Sequence, residues 1–148
     1  MLLSTMRANL IAVAAALAAP PSLASPQDAG SSVLLKPGEE VVVPVAISER
    51  SLALGKPRLA KPGAEPGPGE IAVAVVKHGL SPYADLIATE KTGMPVDFVA
   101  TGLIGDIKID EIRVCGRIDA PIQGRIASGS WRVSLNRFAV HSQGEECR

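Results

Sequence analysis

Apolar residues beyond position 32 recur at every second position or in short continuous runs, and clusters of Gly, Pro, Ser and Asp separate the runs. A period of two puts successive side chains on opposite faces of an extended strand, whereas a helix repeats its apolar positions every three to four residues. Glu70-Ile71-Ala72-Val73-Ala74-Val75-Val76-Lys77 alternates large and small apolar side chains and reads as a central strand covered on both faces. Leu86 to Lys91 and Met94 to Val99 flank Thr92-Gly93. A two-residue turn there predicts a hairpin with Ile87 opposite Phe98 and Thr89 opposite Val96. Ser81-Pro82 offers a competing helix start over Tyr83 to Lys91, with Ser81 as the cap, but the cross-strand pairing favours strand.

The remaining segments follow the same pattern. Val33-Leu34-Leu35 and Val41 to Ile47 read as two strands around Lys36-Pro37-Gly38-Glu39. Pro fixes φ and Gly accepts positive φ, which suits a type II turn. Pro44 has no amide proton for a ladder, which predicts an edge or a bulge. Gly55 to Gly69 holds eight Pro or Gly in fifteen positions and reads as a long exposed loop or a linker. Ile107-Lys108-Ile109 and Ile112-Arg113-Val114 alternate with opposite parity, which predicts a bulge or tight bend at Asp110-Glu111. Ile118 to Ile122 is a weaker edge-strand candidate. In the final segment Trp131, Val133 and Leu135 share a face, and Phe138 and Val140 continue after a change of parity near Asn136. Seven or eight short strands with no helix of the mature chain predict an all-β fold: an antiparallel β-sandwich, immunoglobulin-like in topology, or a small barrel. Residues 33–148 are expected to form one domain with a Pro/Gly-rich loop at 55–69, after a flexible lead-in at 25–32.

The N-terminus differs in kind. Arg7 precedes the ten-residue apolar run Leu10 to Ala19, Pro20-Pro21 break it, and Ser22-Leu23-Ala24 supplies a small-x-small cleavage site. That three-part arrangement predicts a cleaved signal helix over residues 1–24. Ten residues span about 15 Å as a helix, half of a bilayer core, so no membrane anchor is expected after cleavage. The expected location is periplasmic or secreted. In an oxidising compartment the two cysteines, Cys115 and Cys147, are expected to form one disulfide. It would close a loop of about 33 residues, worth about 3.7 kcal/mol of chain entropy, and pin a polar tail.

Composition then narrows function. The 148 residues are 47% hydrophobic and 20% charged with zero net charge. A neutral chain has no general attraction for nucleic acid, and none is expected as a partner. No G-x-S-x-G elbow occurs, and Arg50 and Pro57 stand where a P-loop around Gly55-Lys56 needs Gly and Ser or Thr. His78 and His141 are each solitary at the end of an expected strand, Cys115 and His141 are 26 positions apart, and no metal ligand set or cofactor is assigned. Asp85, Asp97, Asp106 and Asp110 read as solvated faces. Between Ile112 and His141 the five arginines Arg113, Arg117, Arg125, Arg132 and Arg137 face Asp119 alone. Pleat parity turns Arg113 and Arg132 outward, and they form the best candidate pair for binding an anion or a partner.

These features together predict a non-enzymatic interaction or accessory module of the cell envelope, whose partner is another envelope or extracellular protein. The alternative is a metal-handling protein or hydrolase whose site residues converge only in the fold. Export is expected to remove residues 1–24 and leave Ser25 to Arg148. Intact-mass measurement of the exported product checks this, and a chain retaining the apolar run in a membrane fraction would contradict it.

Overall fold

The computed structural model describes residues 31–127 and 129–144. The expected signal helix, most of the lead-in and Cys147 lie outside the described residues. Ten antiparallel strands build two sheets, with no helix among the described residues. They are β1 (Val33–Leu35), β2 (Glu40–Ser48), β3 (Ser51–Leu54), β4 (Arg58–Ala60), β5 (Glu70–Lys77), β6 (Tyr83–Glu90), β7 (Val96–Ile104), β8 (Ile107–Val114), β9 (Ile122–Ala127) and β10 (Arg132–Val140). One sheet has the order β1-β10-β7-β8; the other has β3-β2-β5-β6-β9, with β4 also pairing with β2. The fold is a β-sandwich, as the alternation predicts. Its order departs from the immunoglobulin arrangement, in which the first, second, fifth and fourth strands share a sheet. Here the first strand instead pairs with the last.

The core is made by the inward positions of both sheets. Val41, Val43 and Val45 of β2, Ile71, Val73 and Val75 of β5, and Leu86 of β6 face Val96 and Phe98 of β7 and Val133 and Leu135 of β10. The rings of Phe98 and Phe138 stack with centroids 5.4 Å apart. Strand β5 occupies Glu70–Lys77 as expected, and its central place explains the near-continuous apolar run. The segment beginning at Tyr83 is strand rather than helix.

Several local expectations are corrected by the way the chain crosses between sheets. The turn at Lys36–Glu39 forms, with Gly38 at φ +90° and Glu39 N donating to Lys36 O at 3.0 Å, yet it joins strands of different sheets. The hairpin over Leu86 to Val99 does not form. Strand β6 pairs with β5 and β9, and β7 with β10 and β8, so Ile87 and Phe98 lie on different sheets. The parity argument holds equally for strands stacked across a core, and this hid the crossing. Pro44 is not on an edge: β2 pairs with β5 on one side and with β4 and then β3 on the other. The missing amide falls where β4 hands over to β3, a gap in the ladder.

The Pro/Gly segment is neither a linker nor wholly irregular. It contributes β4 and folds onto the outer face of the larger sheet, where Gly63 N donates to the buried carboxylate of Glu40 at 2.6 Å. Arg58 binds both oxygens of Glu70, at 2.6 and 3.0 Å, and Gly67 N donates to the same group. The Arg58 hydrogen bonds, then the Gly67 amide, hold the Glu70 carboxyl down at about 2. The parity change in β8 is absorbed at Ile109, the extra residue between the pairs Gly102–Asp110 and Leu103–Lys108, rather than at Asp110-Glu111. The expected strand near Ile118 begins instead at Ile122. The irregularity near Asn136 is present, with Arg137 at φ +53°. Trp131 precedes β10 and is two-thirds exposed, outside the core face of Val133 and Leu135.

Phe98 is fully buried against Phe138. Phe98→Ala is expected to lower unfolding stability by about 3–5 kcal/mol through lost transfer energy and a cavity between the sheets. Urea unfolding of the two proteins measures the difference.

Candidate functional site

Three chain segments meet at one end of the sandwich. β6 ends at Glu90, and the chain crosses to the other sheet through Lys91–Pro95 to start β7. β8 ends at Val114 and is followed by Cys115-Gly116-Arg117; β10 ends at Val140 and is followed by His141. Thr92 is buried in the crossover and donates its hydroxyl to Met94 O at 2.7 Å, while His141 N donates to Pro95 O at 2.8 Å. Gly116 presses against this crossover: a β-carbon there would collide with the Val96 nitrogen and the Pro95 carbonyl carbon. Only glycine lets the backbone after β8 lie this close.

Asp97, 5% exposed, is the centre of the cluster. Its Oδ1 accepts from Gly116 N at 2.8 Å and lies 2.9 Å from His141 Nδ1. Its Oδ2 lies 3.0 Å from the same nitrogen and accepts from Arg113 at 3.1 Å. A carboxylate only accepts, so His141 Nδ1 carries the proton in this contact. Glu90, 3% exposed, reaches in from the other sheet: one oxygen, Oε2, accepts from Val96 N at 3.2 Å and Arg117 N at 3.1 Å. Its second oxygen, Oε1, is buried with no hydrogen-bond partner in the structure. Burial is the main reason the Glu90 carboxyl is pushed up to about 7; the two amide donors and His141 pull it down, and the Asp97 charge pushes it up.

The carboxylate, imidazole and sulfur atoms of Asp97, His141 and Cys115 lie within 4.8 Å of one another, but no described cysteine is free, so the sulfur is not a thiolate donor for a metal ion here. A cleft of about 240 Å³ opens beside His141, lined by Arg50, Met94, Val140, Ser142 and Gln143. The arrangement orients one imidazole against one buried carboxylate and ties the end of β10 to the crossover.

Of the residues given a site role from the sequence, only Arg113 and Cys115 fall here; His141, read as solitary, also falls here, and Asp97, read as part of a solvated face, is instead buried at the centre. Arg113 stands opposite Val99 and Arg132 opposite Leu103 on the intervening strand, four positions or about 13 Å apart. Arg132 donates to Gly105 O at 2.6 Å and to Asp106 at 3.2 Å. Arg117 pairs with Asp119 at 3.1 Å and Arg125 with Asp85 at 3.7 Å, while the exposed Arg137 sits on the irregularity of β10. The pair Arg113 and Arg132 is therefore not brought onto one spot. His78 contacts Asp85 at 2.9 Å, away from the cluster. The other half of the expected disulfide, Cys147, lies outside the described residues.

Glu90, Asp97 and His141 were missed as a group. Glu90 carried a readable signal, a charge continuing the inward series Ala84, Leu86, Ala88. Asp97 carried none, because its burial comes from segments distant in sequence. No family model, curated protein or solved structure matches the chain, so the site rests on its own geometry.

The raised Glu90 group sets a pH dependence. Its folded value, about 7, lies above its ordinary value of 4.5, so the folded state binds the proton more tightly. The contribution to stability is full below about pH 4.5, falls as pH rises from there to about 7, and then levels, amounting to about 3 kcal/mol. Glu90→Gln, whose amide oxygen can still accept from Val96 N and Arg117 N, is expected to remove that falling segment and to exceed the wild type in stability at pH 8. Urea midpoints measured from pH 4 to pH 8 on both proteins test this; parallel curves would contradict it.

Proposed function

We propose that the chain is an exported, non-enzymatic interaction or accessory module of the cell envelope, periplasmic or secreted, with Cys115 and Cys147 joined as a staple for its tail. The observation that carries this reading is the end of the sandwich opposite the buried cluster. Leu80 stands fully exposed in the loop between β5 and β6, and Tyr83, Ile107 and Trp131 are each half-exposed or more. Strand pairing gathers them at that end: Tyr83 opposes Ala127, Ile107 opposes Ile104, and Trp131 N donates to Leu103 O at 2.8 Å. Exposed apolar side chains mark a contact surface where they gather rather than lie scattered singly, and these four share one end of the sandwich. Trp and Tyr supply much contact area for little conformational entropy. Neighbouring charges are engaged in pairs, Arg125 with Asp85 and Arg132 with Asp106, which supports recognition by shape and apolar contact rather than by net charge. The staple is supported by the position of Cys115, next to the point where the chain leaves β10, and by there being no free cysteine among the described residues.

The double variant Leu80→Ser with Trp131→Ala tests the surface. Both side chains are exposed, so folding should change little. The variant is expected to lose the envelope proteins that the wild type captures from a detergent extract of the source cells. Equal capture by a variant with an unchanged urea midpoint would remove this end of the molecule from the proposal.

A further inference from the structure

We infer that a cleft on the outer face of the larger sheet binds a primary ammonium group carried on an unbranched aliphatic stem, with the Glu40 carboxylate as its anchor. The cleft lies on a different part of the molecule from the apolar end on which the interaction reading rests, and it stands or falls independently of that reading.

The floor of the cleft follows from pleat parity. Alternation along β5 sends Ile71, Val73 and Val75 into the core and leaves Ala72 and Ala74 on the opposite face. Strand pairing sets Glu40, Ala74 and Ile87 in one row across β2, β5 and β6. The small side chains of the central strand leave a trough between taller neighbours. The Pro/Gly segment crosses this face: Gly63 N donates to Glu40 at 2.6 Å, and Glu65 reaches Lys91 at 3.6 Å. The space between is a cleft of about 380 Å³, walled further by Pro66 and Pro121.

Glu40 is 4% exposed, yet Gly63 N is its one hydrogen-bond donor among the described residues and serves Oε2 alone. Its Oε1 is not sealed off. Among the described residues Glu90 Oε1 is the one side-chain atom both fully buried and unpartnered, so Glu40 Oε1 borders open space, which here is the cleft. A carboxylate almost wholly removed from water, with one neutral donor, gains most from a cation. The cations nearby are engaged elsewhere. Lys91 stands four positions beyond Ile87 of the Glu40 row, about 13 Å along the strand direction, and pairs with Glu65. Arg58 grips both oxygens of Glu70. With Lys91 and Glu65 offsetting each other, Glu40 leaves the lining with one negative charge in excess.

The lining also selects the kind of cation. A guanidinium fork is matched by two carboxylate oxygens, and Oε2 is already bound to Gly63 N. A quaternary ammonium is held by aromatic faces, and the described lining has none. A primary ammonium is a compact point charge that a single oxygen can hold. Ala72, Ala74, Ile87 and Pro121 give its methylene stem an apolar bed. The same chemical group ends a free alkylamine and the lysine side chain of a partner protein.

The test titrates the whole isotope-labelled chain with n-pentylamine, Nα-acetyl-lysine amide, n-butylguanidine and n-pentanol while its amide resonances are followed. The two amines are expected to shift the amides of Gly63, Ala72, Ala74 and Ile87 saturably, with a Kd of about 1 mM or tighter. The guanidine and the alcohol are expected to bind at least about tenfold more weakly. A tighter acetyl-lysine amide assigns the cleft to a partner's side chain, and a tighter pentylamine assigns it to a free amine. Glu40→Gln keeps an oxygen for Gly63 N but turns an amide donor toward the ligand, and is expected to weaken pentylamine about tenfold or more. Ala74→Leu fills the trough and is expected to abolish binding. Pentylamine that shifts none of the cleft amides overturns the proposal. So does butylguanidine or pentanol binding as tightly as the amines, or Glu40→Gln binding as tightly as the wild type. If Glu40→Gln fails to fold, pentylamine against pentanol on the wild type decides, because the two differ in charge on the same stem.

Discussion

Two successive backbone amides, Gly116 N and Arg117 N, donate to carboxylates from opposite sheets, Asp97 of β7 and Glu90 of β6. A sandwich is held mainly by apolar contact between its layers, which is strong but non-directional. Directional bonds help set where the layers stand relative to each other, and two of them run through one short segment after β8, while Ala127 N donates to Asp110 Oδ2 at 2.8 Å and ties β9 to β8 elsewhere. The same carboxylates also bind Val96 N and His141, so the crossover, the end of β10 and the end of β8 share one hydrogen-bonded node. The arrangement depends on Gly116, whose missing side chain admits the close approach.

Holding that node together places one carboxylate in a costly position. Glu90 satisfies two amides with one oxygen and leaves the other buried without a partner. Such a group is ordinarily excluded from protein interiors, because an unpaired buried polar atom costs free energy comparable to a lost hydrogen bond. Its persistence at the meeting point of Asp97, Cys115 and His141 makes this end of the molecule chemically distinct from the apolar end, where Leu80 and Trp131 face water. The two ends are thus divided in character: a polar interior at one, an apolar exterior at the other.

The arginine-rich stretch shows how strand pairing redistributes charge. Along the chain, five arginines face one aspartate. In space, Asp85 and Asp97 arrive from other strands, and Asp106 from the turn between β7 and β8, beside Arg125, Arg113 and Arg132. The two exposed pairs, Arg125 with Asp85 and Arg132 with Asp106, contribute little to stability, but all three neutralise a local excess that the linear count exaggerates. The Pro/Gly segment is placed by distant partners in a similar way. Its composition forbids long regular structure, yet Glu40 and Glu70, distant in the linear order, supply the acceptors that hold it against a sheet.

The β class, the strand at Glu70–Lys77, the type II turn at Pro37-Gly38 and the irregularity near Asn136 were legible in the sequence, because each follows from pleat parity or from the φ preferences of Pro and Gly, which act within a few residues. The sequence also carried a hint of the site in Glu90, a charge at a position whose parity belongs to the core. Which strands share a sheet was not legible: facing strands across a core and paired strands within a sheet satisfy the same alternation, so Leu86 to Val99 matched a hairpin that the chain does not make. The rest of the site was decided by the tertiary structure. Asp97 owes its burial to Gly116 and His141, 19 and 44 positions away, and no local pattern encodes a hydrogen bond between residues that only the closing of two sheets brings into reach.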